Sequence, residues 1–370
     1  MTRLTTLFEQ YGQSPWIDNI RRDWLNDGTL ARLVDDGVRG VTSNPAIFAK
    51  AFATSSAYDE MLLRAEDADP EVVFERLAVA DVRDACDVLG GVHQQSGDDF
   101  LAGRRRYRDG FVSLEVSPLL ARDTEGTVAA AKRLAAEVGR ANVMIKIPAT
   151  LEGLPAVTEV LGSGINVNVT LIFSVARYAD VLTAWMDGLE LAQSRGLDIG
   201  PIASVASFFV SRVDAAVDAL LAEGDPRRGT TANAQVAAAY ALYRARVASE
   251  RATALLAAGA QIQRPLWAST STKNPTYYDL LYVDEIVADE TVNTMPDATL
   301  EGVLDHANFT SSRLLKEGDV AGTAARLALL PTEISLDAVT ERLEVDGVAS
   351  FVSSYQELLA TVAAKIATAK

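Results

Sequence analysis

The stretch Val143-Met-Ile-Lys-Ile-Pro-Ala-Thr-Leu-Glu-Gly153 places one lysine inside an apolar run. The run predicts a short buried strand over residues 143–147, which ends at Pro148. Successive strand residues point to opposite faces, so Lys146 points away from the face that Ile145 and Ile147 cover. A lysine buried there would favour the neutral amine, the form that attacks carbonyl carbons. The alternative is an exposed lysine on a strand, and the rest of the chain decides between the two.

Short apolar runs alternate with longer helical patterns along the chain, which is typical of a parallel sheet. The predicted strands cover residues 16–19, 38–42, 111–116, 143–147, 165–173, 202–206, 264–268 and 290–293. Each is followed by a predicted helix, and eight such units favour a closed (β/α)8 barrel, the TIM barrel, over an open sheet. Since no change in composition marks a second domain, we predict one barrel domain over residues 1–370, with helices at about 335–370 packed outside the barrel.

Composition excludes several classes of protein. The 370 residues are 49% hydrophobic, which is enough for a large core. No apolar stretch is long enough to cross a bilayer and the first residues lack a signal-peptide pattern, so we expect a cytoplasmic protein without a membrane partner. The net charge of −16 argues against nucleic acid as a partner. It also repels anionic substrates at long range, so any phosphate must be held by a few local cations.

Histidine and cysteine are scarce in this chain. It contains two histidines, His93 and His306, and a single cysteine, Cys86. This excludes a His-rich metal site, a thiolate cluster and a disulfide framework, so we expect no metal. Both histidines lie in polar, helix-like surroundings, where a surface role is more common than a catalytic one. Acid–base chemistry would then depend on carboxylates, lysine or ordered water.

Polar residues near the carboxyl ends of the predicted strands are candidates for chemistry, because the active site of a (β/α)8 barrel lies at that end. These candidates are Asp18, Thr42, Ser43, Asn44, Ser113, Glu115, Lys146, Asn168, Thr170, Ser207, Arg212 and Lys273. Taken singly, each can be explained as a helix cap, a turn residue or a solvated charge. A lysine with two carboxylates and several amides and hydroxyls at one barrel face is much harder to explain as packing.

Two motifs resemble the signatures of the transaldolase family. Gly40-Val-Thr-Ser-Asn-Pro-Ala-Ile-Phe48 resembles the first, and Val143-Met-Ile-Lys-Ile-Pro-Ala-Thr-Leu-Glu-Gly-Leu154 resembles the second, which carries the family's Schiff-base lysine. The resemblance covers nearly the whole chain, and additional residues near 57–100 and 224–233 resemble those of the longer bacterial branch. It implies a (β/α)8 barrel and a transferase without a cofactor, with the family's usual homodimer as one candidate assembly.

The resemblance also implies catalytic roles. Lys146 would form an imine with the ketose carbonyl, creating an electron sink that lets the C3–C4 bond break. Asp18 would act as the acid–base group at the hydroxyl whose proton is lost during cleavage. Glu115 and Thr170 would hold the water that shuttles protons during imine formation.

Seven further residues are assigned to the substrate by the same resemblance. Asn44, Asn168 and Ser207 would hydrogen-bond the dihydroxyacetone fragment. Thr42 and Ser113 would support these residues. Arg212 would bind the substrate phosphate, because a guanidinium matches phosphate geometry. The second phosphate arginine of the family is replaced here by Lys273, which binds phosphate as a point charge.

The activity that the resemblance implies belongs to the pentose phosphate pathway. A dihydroxyacetone unit would move from sedoheptulose 7-phosphate to glyceraldehyde 3-phosphate, giving erythrose 4-phosphate and fructose 6-phosphate. One alternative is a class I aldolase that releases free dihydroxyacetone, although Glu115 and Thr170 match the transferase. Another alternative is an inactive barrel that serves as a binding protein. Loss of Lys146 or Asp18 would have indicated this, and both residues are present. The scarcity of histidine disfavours a metal-dependent class II aldolase.

Overall fold

Seven parallel strands form the central sheet of the protein. The structure is a computed structural model, and it describes residues 1–63, 69–315 and 317–369. The strands are β1 (Ser14–Ile17), β2 (Val112–Glu115), β3 (Val143–Pro148), β4 (Val167–Ile172), β5 (Ser204–Phe209), β6 (Gln263–Ala268) and β7 (Val292–Met295). Their order is β1-β7-β6-β5-β4-β3-β2, so β2 to β7 lie side by side in sequence order and β1 pairs with β7. This confirms the predicted parallel α/β architecture, although β1 begins two residues before the predicted start and β5 and β7 begin two residues after it.

The predicted second strand is the exception. Residues 38–42 form no regular strand, and only Val41 pairs with both neighbours, through parallel bridges to Ile17 and Val112. The segment still closes the barrel, since the Val41 amide donates to Phe111 and the Ser113 amide donates to Val41, both at 2.9 Å. The preceding Gly40 lies so close to the Trp16 indole that a Cβ atom there would be 2.3 Å from the ring. This close approach leaves room for glycine alone at position 40.

Helices surround the barrel on its outside. Those in the described residues are α1 (Arg3–Tyr11), α2 (Arg22–Asn26), α3 (Thr29–Asp35), α4 (Pro45–Thr54), α5 (Asp59–Leu63), α6 (Pro70–Val88), α7 (Gly90–Leu101), α8 (Thr124–Val138), α9 (Gly153–Leu161), α10 (Val175–Ser194), α11 (Ser211–Asp218), α12 (Thr231–Val247), α13 (Glu250–Ala257), α14 (Leu281–Asp284), α15 (Asp297–His306), α16 (Glu317–Ala324) and α17 (Leu336–Ala369). None of these helices is long and apolar enough to span a bilayer.

The two faces of each strand contribute to two separate cores. On β3, Ile145 and Ile147 pack into the large cluster between the strands and the helices. Met144 belongs instead to a smaller cluster of barrel-facing residues, together with Trp16 and Leu266. Because side chains alternate along a strand, Lys146 shares the inward face with Met144. The position is buried, with 4% of Lys146 exposed, so the alternative of an exposed strand lysine is wrong.

A buried charge network fills the amino end of the barrel. The Asp109 carboxylate accepts hydrogen bonds from Ser14 at 2.5 Å and from the Trp16 indole at 2.9 Å. It also forms ion pairs with Arg39 at 3.0 Å and Arg264 at 3.1 Å. Burial opposes ionisation, but the two guanidinium groups more than offset it and hold the pKa of Asp109 below its usual value. Residues at this end of a (β/α)8 barrel contribute to stability, and the candidate chemistry lies at the other end.

Candidate active site

Strand register brings the central side chains together. Glu115 on β2 is paired with Lys146 on β3, and Lys146 is paired with Asn168 on β4. Paired residues on neighbouring parallel strands present their side chains to the same face. Thr170 follows Asn168 by two positions and therefore points the same way. The barrel thus places a carboxyl, an amine, an amide and a hydroxyl on adjoining strands.

The Lys146 amine has two polar neighbours and one aromatic neighbour. Nζ donates a hydrogen bond to the backbone carbonyl of Ser43 at 3.0 Å. It lies 3.5 Å from Oε2 of Glu115, an ion pair in which both side chains are buried. The ring centroid of Phe351, on α17, is 5.9 Å away. The amine is therefore held in place by protein groups and largely shielded from solvent.

Glu115 is placed to exchange a proton near neutral pH. Burial raises the pKa of Glu115 to about 7, with the charge of Lys146 acting in the opposite direction. At 3.5 Å the contact with Lys146 is an ion pair and too long for a good hydrogen bond. Oε2 of Glu115 and Oγ1 of Thr170 are both buried without a hydrogen-bond partner in the described structure. Buried polar atoms are normally paired, so both atoms can accept a bound polar molecule.

Asp18 lies directly after β1 and is held by hydroxyl groups. The Thr42 hydroxyl donates to Oδ1 of Asp18 at 2.6 Å, and it is also 2.6 Å from the hydroxyl of Thr294. Burial raises the pKa of Asp18, although the charge of Lys146 and the Thr42 hydrogen bond oppose this effect. A positioned carboxyl with a raised pKa is suited to general acid–base chemistry.

A chain of hydrogen bonds fixes the amide of Asn168. Its carbonyl oxygen accepts from the Ser207 hydroxyl at 2.6 Å, and its NH2 group donates to the Ser113 hydroxyl at 3.0 Å. Ser207 lies within β5, because that strand continues three residues beyond its predicted end. Asn44 serves also as the N-cap of α4, where its amide oxygen accepts from the Ile47 amide at 3.1 Å. Only the NH2 group of Asn44 therefore remains available to a ligand.

Two cations lie together at the cavity wall. The Arg212 guanidinium packs 5.2 Å from the Phe209 ring centroid and has no ion-pair partner among the described residues. The Lys273 ammonium donates to the Ser271 hydroxyl at 2.8 Å. Partial loss of hydration, and after it the positive charge of Arg212, lowers the pKa of Lys273. Two neighbouring cations without a carboxylate ion pair in the described part of the chain are suited to binding an anion.

These groups surround a cavity of about 500 Å³ at the carboxyl end of the barrel. The predicted site residues that line it are Asp18, Thr42, Asn44, Lys146, Ser207, Arg212 and Lys273. The other five candidates do not line it: Ser43, Ser113, Asn168 and Thr170 are buried, and the Glu115 side chain is 6% exposed. Neither His93 nor His306 lines the cavity. The fold and the site together define an enzyme of the (β/α)8 class with a buried amine at its centre.

Sequence reasoning missed several residues of this cavity, including Lys50, Phe209, Thr294 and Phe351. Lys50 lies one turn after Ala46 and Ile47 on α4, which also line the cavity, so helical spacing places the three on one side of the helix. Thr294 is the penultimate residue of β7, and extending the predicted strand by two residues would have placed it at the same rim. No local signal identifies Phe351, because its place in the site depends on how α17 packs.

The chain belongs to the transaldolase/fructose-6-phosphate aldolase family, whose model matches residues 15–362. It is 47% identical to a transaldolase of Saccharopolyspora erythraea, over 97% of this chain and 96% of that protein. A transaldolase of Thermobifida fusca is 48% identical, over 96% of each chain. Transaldolase 2 of Nostoc punctiforme is 42% identical, over 97% of this chain and 96% of that protein.

Proposed function

We propose that the protein is a transaldolase that acts through an imine on Lys146. It transfers a dihydroxyacetone unit from sedoheptulose 7-phosphate to glyceraldehyde 3-phosphate, giving erythrose 4-phosphate and fructose 6-phosphate. The observation that carries the proposal is the buried Lys146 amine, 3.5 Å from the Glu115 carboxyl. The family membership and full-length similarity to transaldolases support the same activity. The cytoplasmic location and the homodimer stay predictions.

The reaction begins when the Lys146 amine adds to C2 of the ketose. The resulting carbinolamine loses water, with Glu115 and Thr170 holding the water that carries protons between its nitrogen and oxygen. In the iminium, Asp18 takes the proton of the C4 hydroxyl, the C3–C4 bond breaks, and its electron pair moves into the iminium. The aldose leaves and an enamine remains on Lys146. Its C3 then attacks the acceptor aldehyde, and the same steps run in reverse.

The remaining residues bind and orient the substrate. Asn168, fixed by Ser113 and Ser207, and the free NH2 group of Asn44 hydrogen-bond the hydroxyl groups of the dihydroxyacetone unit. Thr42 holds Asp18 in position. Arg212 and Lys273 bind the phosphate, which the net charge of −16 would otherwise repel.

Borohydride trapping tests the proposal. The protein is incubated with fructose 6-phosphate, reduced, digested and sequenced by mass spectrometry. We expect one reduced three-carbon adduct, located on Lys146. An adduct on another lysine, or none at all, would exclude the imine on Lys146.

Arg212→Ala is expected to raise the KM for fructose 6-phosphate by about 10–100-fold, since a hydrogen bond to a charged group contributes ~1.5–3 kcal/mol. Activity on unphosphorylated fructose, however low, should remain almost unchanged because that substrate has no phosphate to lose. Steady-state kinetics with both substrates measures the difference. Lys273→Arg is the matched variant and should preserve or tighten phosphate binding, since it introduces a bidentate donor. If Arg212→Ala raises the KM for both substrates equally, Arg212 has a structural role.

Imine formation should become faster as the pH rises through about 7, the pKa to which burial raises Glu115. Below this pH the Glu115 carboxyl is protonated and cannot accept a proton from the water that it holds; above it the carboxylate can. Stopped-flow measurement of the rate of imine formation at different pH values gives the inflection. Because Glu115 and Lys146 interact, its apparent pKa belongs to the pair. Glu115→Gln should lose the inflection, whereas Thr170→Val, which keeps the carboxyl, should retain it at a lower rate. An unchanged inflection in Glu115→Gln would assign it to another group.

A further inference from the structure

The C-terminal helix α17 crosses the carboxyl end of the barrel. It contacts α4 and α11, which follow different strands of the barrel, and it also contacts β4. An ion pair of 3.4 Å between Glu344 of α17 and Arg177 of α10 adds a third connection to the rim. The helix is therefore attached at several positions around the opening that leads to Lys146.

A single glycine allows α17 to dock closely on β4. A Cβ atom at Gly347 would lie 3.2 Å from the Leu171 side chain and 3.4 Å from that of Phe173. Leu171 has a φ of 58°, in the left-handed region, where the register of β4 shifts between Val169 and Ile172. Leucine rarely adopts this conformation, so the surrounding packing must hold it. The close contact at Gly347 sets how deep the following turn of the helix lies.

The next turn of α17 places an aromatic ring beside the amine. Phe351 is 5% exposed and packs with the barrel-facing residues. Its ring centroid is 5.9 Å from Nζ of Lys146, and both residues line the cavity. The other groups in contact with the amine, Ser43 and Glu115, are polar. Phe351 is thus an apolar neighbour of the atom on which the intermediate forms.

We propose that Phe351 determines how long the three-carbon intermediate survives on Lys146, by keeping water from the solvent away from the bond between Nζ and C2, apart from the one water that Glu115 and Thr170 hold for imine formation and its reversal. The inference rests on the proposed function. An enzyme that transfers a carbon unit must hold the enamine until an aldehyde arrives, whereas an enzyme that releases the unit must let water in. Excluding water is a recognised way to prevent hydrolysis of a reactive intermediate.

The competing reaction consists of three steps. A proton adds to C3 of the enamine and gives the iminium of dihydroxyacetone. Water then adds to C2, and a proton passes from the new hydroxyl to the nitrogen. The C2–N bond breaks with its electron pair remaining on nitrogen, which releases free dihydroxyacetone and regenerates the Lys146 amine. No oxidant or reductant is involved, and the single reactant that must reach C2 is water.

The ratio of two rates tests this role of Phe351. Transfer is measured with fructose 6-phosphate and erythrose 4-phosphate, and release is measured as free dihydroxyacetone from fructose 6-phosphate alone. Phe351→Ala should raise the release-to-transfer ratio about tenfold, because water gains access to C2. Phe351→Leu keeps an apolar side chain and should stay close to the original ratio. Leu358→Ala, a buried position on the same helix, is the matched control: it should lower the Tm and leave the ratio unchanged.

The outcomes separate the inference from the proposed function. If the unmodified protein gives no borohydride adduct on Lys146, the imine mechanism fails. If the adduct forms and Phe351→Ala keeps the original ratio, Phe351 does not protect the intermediate. An equal rise in Leu358→Ala would show that general loosening of α17, and not the Phe351 ring, admits water, which also overturns the inference.

Discussion

Lys146→Ala will form no borohydride adduct and will lose transfer by at least about 10⁴-fold, the scale on which removal of a covalent nucleophile acts. The replacement removes the buried amine beside Glu115. An adduct on Lys50 or Lys273, the two other lysines that line the cavity, would contradict the mechanism. Transfer from fructose 6-phosphate to erythrose 4-phosphate, followed by a coupled assay, measures the loss.

Two controls distinguish chemistry from folding in this experiment. Lys132→Ala removes an exposed lysine whose ammonium pairs with Glu159 at 2.9 Å, and it should retain both trapping and transfer. The Tm of Lys146→Ala should stay close to that of the unmodified protein or rise, because burying the polar end of the lysine side chain costs free energy that alanine does not. Full transfer activity in Lys146→Ala would refute the mechanism.

Asp18→Asn is expected to form the imine but to cleave the C3–C4 bond roughly 10²–10⁴-fold more slowly, which is the usual contribution of a positioned acid–base group. Asparagine has nearly the same shape and its amide oxygen can still accept the 2.6 Å hydrogen bond from Thr42. It cannot accept the proton of the C4 hydroxyl. Borohydride should therefore trap the uncleaved six-carbon phosphate on Lys146 in place of the three-carbon unit.

The mass of the adduct makes this prediction specific to cleavage. Thr294→Val is the matched variant. It removes the hydroxyl that lies 2.6 Å from the Thr42 hydroxyl but keeps the Asp18 carboxyl, so it should still give the three-carbon adduct. A three-carbon adduct formed at the normal rate in Asp18→Asn would exclude Asp18 as the group that accepts the proton.

Much of the barrel and its centre could be predicted from strand periodicity. Two patterns predict the inward face that Lys146, Asn168 and Thr170 share. One is the apolar run around the lysine, and the other is the pair of polar residues two positions apart on a neighbouring strand. The pairing of Glu115 with Lys146 follows from the parallel register of β2 and β3. These features depend on local alternation and on the order of the strands, both of which a sequence displays directly. The catalytic roles of these residues stay predictions.

The features that sequence reasoning missed depend on contacts between distant parts of the chain. The segment around Val41 has the composition of a strand, but it pairs with its neighbours only through the two bridges of Val41, and Gly40 packs against the Trp16 indole from the distant β1. Phe351 looks like an ordinary core residue of a helix, and only the docking of Gly347 against Leu171 brings it to the cavity. The Asp109 network joins β1 and β6 to Asp109, just before β2, and to Arg39, just before the Val41 segment, which no spacing pattern indicates.

That network at the amino end also has a kinetic consequence. Because Asp109, Arg264 and their neighbours fill that end, ligands reach Lys146 from the carboxyl end, where Arg212 and Lys273 lie. Under the proposed function, the aldose phosphate formed first must therefore leave by the route that the acceptor later takes, past the same two cations. Donor and acceptor cannot be bound together, so the turnover is ping-pong, and excess acceptor aldehyde competes with the donor for the free enzyme.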